Sequence, residues 1–100
     1  MLHTVNKSPF EKNSLQACLE FSLPGSDILL IEDGVYGAIA GGSSAAGLGR
    51  ALQDRNIYVL GPDLKSRGID SARLVEGVKV VDYAGFVDLA ATNDRVQAWL

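Results

Sequence analysis

The sequence predicts an α/β fold, a three-layer α/β/α sandwich around a mostly parallel sheet of four to five short strands. Three observations carry this expectation. The runs Asp27–Ile31, Ile57–Leu60 and Val78–Val81 are apolar almost without a break, the pattern of strands covered on both faces. The stretches between them are long enough for helical crossovers. Turn or capping residues such as Pro24-Gly25 and Asp33-Gly34 bound the runs,. With 100 residues, 47% of them hydrophobic, the chain buries about two thirds of its unfolded surface. That supports one modest core, so residues 1–100 are expected to form a single domain.

Taken in order, Leu2–Val5 is a brief first strand. A helix follows, starting either at Ser8-Pro9-Phe10-Glu11, where serine caps and proline presets the first turn, or at Asn13-Ser14. It ends near Leu23, because Pro24-Gly25 cannot continue it. After the strand Asp27–Ile31, the short segment Gly34–Ala40 is broken by Gly41-Gly42-Ser43-Ser44, and a further helix is expected over Gly47–Asp54. The strands Ile57–Leu60 and Val78–Val81 come next. Tyr83, Phe86, Val87, Ala90 and Ala91 then recur at the spacing of one helical face behind Asp82, a capping residue. Val96–Leu100 is a candidate fifth strand.

Composition excludes several classes of function. Nine basic against twelve acidic residues give a net charge of −3, which is no general nucleic-acid surface. One cysteine supplies neither an internal disulfide nor a cysteine-rich zinc site, so an intracellular, metal-free protein is expected. Met1-Leu2-His3-Thr4 lacks the basic region and apolar run of a signal peptide, and no apolar segment approaches a membrane span. A soluble, cytoplasmic chain without membrane contact follows as the expectation.

Four features invite a chemical reading. Gly41–Gly49 is glycine-rich, but it has no lysine for a phosphate loop and Leu52 stands where a dinucleotide loop needs its third glycine. A surface loop is the expected outcome. Glu32-Asp33-Gly34 lies at the carboxyl end of a strand, where open α/β sheets place ligands, and paired carboxylates there suit a magnesium-binding receiver domain. The partner acids and the lysine of such a site are missing, so a turn with Asp33 capping the next helix is the structural alternative. His3, the single histidine, reads as a hydrogen-bonded strand residue. Cys18 falls inside the first helix with Ser14, Leu15, Phe21 and Ser22 one turn away. No cation lies on that face to favour a thiolate, and most free cysteines are small buried hydrophobes. A stand-alone ligand-binding or receiver-like signalling domain is therefore one class to test.

Several segments together resemble the DsrH/TusB family of sulfur-relay proteins. They are Leu2–Phe10, Leu29–Tyr36, Tyr58–Gly68, with its Gly61-Pro62-Asp63-Leu64-Lys65-Ser66-Arg67-Gly68 ending, Val81–Leu89 and the terminal Trp99. They occur in order along the whole chain. The resemblance implies the same α/β/α sandwich, no cofactor, and a subunit that joins DsrE/TusD-like and DsrF/TusC-like chains in a two-of-each heterohexamer. It also implies that persulfide sulfur arrives from a TusA-like donor and leaves to a DsrC/TusE-like acceptor. The sulfur ends either at the wobble uridine of tRNA as 2-thiouridine or in cytoplasmic sulfur oxidation. The principal persulfide cysteine of the family belongs to the DsrE/TusD-type partner, which makes this chain mainly architectural. DsrH-type members carry a cysteine where Cys18 stands, which marks it as a secondary persulfide carrier. Lys7, Lys12 and Lys65 are the loop or helix-start cations able to approach it.

Overall fold

The computed structural model describes residues 1–100. Strand β1 (Leu2–Val5) is followed by helix α1 (Ser14–Phe21), β2 (Asp27–Leu30), a 3-10 segment (Glu32–Ala38), α2 (Ala45–Ala51) and β3 (Asn56–Leu60). Helix α3 (Gly61–Ser66), a 3-10 turn (Ser71–Arg73), β4 (Lys79–Val81), α4 (Tyr83–Thr92) and β5 (Val96–Trp99) complete the chain. The five strands form one sheet in the order β4-β3-β2-β1-β5, and every neighbouring pair is parallel. The expected α/β sandwich, with Val96–Trp99 as its fifth strand, is what the chain forms.

Register and strand alternation divide the side chains between two faces. Val5, Ile28, Leu30, Ile57 and Val59 point one way and join Leu15, Cys18, Val35, Leu48 and Leu64 in a single core cluster. Each such fully buried aliphatic side chain contributes about 1.5–3 kcal/mol. Leu2, Leu29 and Leu60 are equally buried on the other face. Chain direction across the sheet reverses only after β4. Right-handed crossovers therefore put α1, α2 and α3 on the first face and leave α4 alone on the second. No helix is long and apolar enough to cross a membrane.

Local chemistry chooses between the two expected starts of the first helix and departs from the sequence expectations at three further places. Ser8-Pro9 opens a turn and not a helix: Ser8 Oγ accepts from the Phe10 amide at 3.2 Å, and the Ser8 carbonyl takes the Glu11 and Lys12 amides. Helix α1 starts at Ser14. The glycine-rich stretch is a loop only through Ser44; Ala45–Gly49 already belongs to α2. Gly61–Ser66 was not expected to be helical, yet Pro62 in its first turn is preset for it,. The apolar stripe of α4 is buried along only one of its edges. Phe86 and Ala90 are half-buried, whereas Tyr83, Val87 and Ala91 are exposed. Asp82 does cap this helix, accepting the Gly85 amide at 2.8 Å.

Candidate functional site

Cys18 sits on the sheet-facing side of α1, fully buried within the core cluster. Burial pushes its thiol up to about 12 from an ordinary 9.0, and the positive charge of Arg55 only partly offsets this. Arg55, not Lys7, Lys12 or Lys65, is thus the cation whose charge reaches the thiol. It lies 37 positions from Cys18 along the chain (55 − 18), so no local spacing announces it. Its guanidinium donates to the carbonyls of Leu19 and Ser22 and to Ser22 Oγ at 2.8 Å, and pairs with Asp54 at 3.0 Å. Arg55 therefore acts on the free carbonyls at the α1 C-terminus, where a cation is favoured, and its service to the thiol is incidental. The result is a protonated, weakly nucleophilic sulfur.

The carboxyl ends of β2 and β3 form the second cluster. Gly34 packs so closely on the end of β1 that a Cβ there would stand 2.1 Å from the Val5 carbonyl oxygen. Just before it, Glu32 adopts a left-handed φ of 50°, and its amide donates to Asp63 Oδ2 at 2.6 Å. Arg67 donates to Asp33 Oδ1 at 2.9 Å and to the Asp63 carbonyl at 3.2 Å. Asp33 therefore pairs with Arg67 and lies inside the first turn of the 3-10 segment instead of capping it; the cap position is Ile31, with no side-chain cap. Of the two carboxylates of the magnesium reading, Asp33 is committed to Arg67, whereas Glu32 is held through its backbone amide by Asp63 and not through its side chain. No three His, Cys, Asp or Glu side chains lie close enough together to share a metal ion.

His3 is buried, and its Nδ1 accepts the Trp99 indole N–H at 3.0 Å, which ties β1 to β5. Burial first, and then the positive N-terminus, lower its pKa below the ordinary 6.5. Trp99 also lies 6.1 Å from the Phe21 ring, centroid to centroid. Between α1 and α2 runs a groove of about 610 Å3 lined by Phe10, Leu15, Leu19, Arg50 and Arg55 among others. Three cations, Lys12, Arg50 and Arg55, stand there against two acids, Glu11 and Glu20. What the surface offers most plainly is apolar area: Phe10, Phe21, Leu23, Tyr83, Val87 and Leu100 are each more than half exposed.

Comparison with known proteins places this geometry. A family model described as DsrH like protein matches residues 7–96. The chain belongs to the DsrH family. Protein TusB of Erwinia tasmaniensis is 39% identical over 99 residues, covering 99% of this chain and 100% of that protein. Protein TusB of Photorhabdus laumondii is 34% identical over 102 residues with the same coverage. Among solved structures, the ychN protein from E. coli superposes with a TM-score of 0.80 at 18% identity, covering 97% of each chain. A protein of unknown function from Methanobacterium thermoautotrophicum gives a TM-score of 0.76 at 13% identity, covering 97% of this chain and 96% of that one. At those identities the structural likeness speaks for the fold alone. The DsrH-family chain thus has a five-stranded parallel sheet, a single closed thiol and several open apolar side chains.

Proposed function

We propose that this chain is a mainly architectural subunit of a cytoplasmic sulfur-relay complex, assembled with DsrE/TusD-like and DsrF/TusC-like chains in a two-of-each heterohexamer. The observation that carries the reading is the likeness to TusB proteins over essentially the whole of both chains. Exposed large apolar side chains support it, because obligate interfaces are the more hydrophobic ones. The TusB likeness also favours tRNA thiolation over sulfur oxidation as the end of the relay, although Cys18 is the DsrH-type feature.

The chemistry assigned to the complex is persulfide transfer. An acceptor thiolate attacks the outer sulfur of a donor persulfide, the S–S bond breaks, and the donor cysteine leaves as a thiolate. One sulfur atom moves and no external oxidant or reductant is consumed. TusA-like and DsrC/TusE-like proteins are the donor and acceptor in this reading. Either role in the step requires an accessible thiolate. The burial and raised pKa of Cys18 support a packing role for it, and in this reading a partner cysteine is the principal carrier.

Two measurements test this. Light scattering is expected to show a mixed assembly when the chain is expressed with both partners; a folded monomer that ignores them would overturn the reading. Intact-mass analysis after incubation with a persulfide donor is expected to place an adduct of about 32 Da on a partner and none here. An adduct on this chain that Cys18→Ser abolishes would make Cys18 a carrier and the subunit a direct participant.

A further inference from the structure

The edge strand β5 is held in part by a hydrogen bond that only a neutral imidazole can accept. This strand has one neighbour, β1, and most of it is exposed. Its ladder begins where the Leu2 amide donates to the Arg95 carbonyl at 2.9 Å. Near its end, two side-chain hydrogen bonds tie it to the rest of the chain. Ser14 Oγ donates to the Leu100 carbonyl at 3.1 Å, and the Trp99 indole N–H donates to His3 Nδ1 at 3.0 Å. Trp99 is also the one residue of β5 that packs against the core cluster. How firmly it is seated decides how firmly the strand is held.

An indole N–H donates and never accepts. Nδ1 therefore carries the lone pair of the neutral ring, and Nε2 carries the hydrogen. The next proton goes to Nδ1, the atom at which the indole points. An imidazolium has two N–H donors and no acceptor, so no rotation of the ring restores the bond. Two donors then face one another where His3 is only 5% exposed, and a buried donor without a partner is costly. No carboxylate offsets the new charge. Burial, and after it the positive N-terminus on β1, are what act on the ring, and both disfavour its proton. On β2, Asp27 lies in register with Leu2, not His3, and is bonded to Asn56 and Asn93. On β5, the uncharged Gln97 stands beside His3, and Asp94 and Arg95 before the strand are of opposite sign. On α1, Cys18 stays neutral up to about 12, and the exposed Glu20 accepts from Gln16. We propose that His3 and Trp99 form a proton-sensitive clasp: neutral His3 seats Trp99, and protonated His3 releases it, so that the end of β5 frays while the other four strands stay folded. An edge strand is where such local opening costs least. The clasp belongs to this chain alone and does not rest on the subunit reading.

Trp99 is the only tryptophan, so native fluorescence reports its own seat. The full chain is titrated downward from about pH 8 to the onset of global unfolding, with protonation of His3 followed by the NMR signals of its ring. As the ring protonates, Trp99 emission is expected to move to the red. Hydrogen-exchange protection factors of the β5 amides are expected to fall about tenfold, what one hydrogen bond is worth, while those of Ile28–Leu30 and Ile57–Val59 stay within about twofold. His3→Gln supplies an amide oxygen that accepts at any pH and is expected to abolish the step. Trp99→Phe removes the donor and is expected to leave β5 weakly protected throughout, again with no step. The clasp is overturned if β5 keeps its protection while the ring protonates, or if the ring stays neutral until global unfolding. It is equally overturned if β2 and β3 lose protection in the same step, or if His3→Gln retains the step. The wild-type titration decides by itself should either variant fail to fold.

Discussion

Gly34→Ala is the substitution for which the structure sets the clearest magnitude. A Cβ at this position would lie 2.1 Å from the Val5 carbonyl oxygen, where real Cβ atoms keep at least 3.0 Å. The obstacle is backbone, not a movable side chain, so the loop after β2 has to retreat by about 1 Å. That retreat pulls on the Ile31 amide, which donates to the same Val5 oxygen at 3.0 Å. Overpacking of this kind costs about 1–3 kcal/mol, and the lost hydrogen bond about 1 more. A loss of about 2–4 kcal/mol corresponds to a drop in Tm of roughly 10–30 °C for a chain of this length. Urea unfolding followed by circular dichroism measures it, with the m-value showing whether the transition stays two-state. A loss below about 1 kcal/mol at unchanged m would show that the loop yields freely, and would remove the basis for treating the β1–β2 exit as rigid.

Gly49→Ala has the opposite sign: a Cβ there meets nothing within 4 Å, so a gain of about 0.5–1 kcal/mol is expected in the same unfolding assay. Arg55→Met leaves the carbonyls of Leu19 and Ser22 without their charged donor and is expected to cost about 1–3 kcal/mol; a neutral result would mean that water replaces the guanidinium fully. For His3, the folded pKa is lowered by burial and the N-terminal charge, so the unfolded chain binds the proton more readily. Its contribution to stability is present above the ordinary 6.5 and lost as pH falls through the folded value; His3→Gln should flatten that acid limb, and an unchanged slope would exclude His3 as its source. Cys18, raised to about 12 from 9.0, holds about a thousandfold less thiolate than an ordinary cysteine at neutral pH. Its alkylation by iodoacetamide in the native chain is expected to be slower than in urea by at least that factor, and rates within tenfold of each other would show an open thiol.

The central strands are legible because two covered faces demand an unbroken apolar run, and Ile28–Leu30 and Ile57–Leu60 have no polar residue except the Tyr58 hydroxyl. Edge strands obey the same pairing with less burial. Val96–Trp99 is mostly exposed, so only its β-branched and aromatic residues hint at it. Helix boundaries fail where one residue type serves two structures. Ser8-Pro9 suits a helix start and a turn alike, and the carbonyl of Ser8 closes the turn. In α4 the period was right and the inference of one buried stripe was not. A helix this rich in apolar residues is ordinarily buried, yet Tyr83, Ala84, Val87 and Ala91 are exposed.

The charged contacts were invisible for a different reason. Arg67 reaches Asp33 across 34 positions, and Arg55 reaches Leu19 across 36. Such pairs exist only once the sheet has brought the loops together, and no period or spacing encodes them. Their discovery changes how the chain's chemistry is weighed. Most of the polar groups weighed for chemistry are engaged, Asp33 with Arg67, His3 with Trp99 and the Cys18 thiol in apolar packing, while Asp63 holds the Glu32 amide. What is left unengaged is apolar surface, above all on α4, Phe21 and Leu23. A chain whose reactive groups are satisfied internally and whose hydrophobic groups are not is built to be completed by other chains. Polar substitutions of exposed apolar residues such as Leu23 should therefore impair the complex more than loss of the thiol does, and a complex that tolerates Leu23→Asp but not Cys18→Ser would reverse that order.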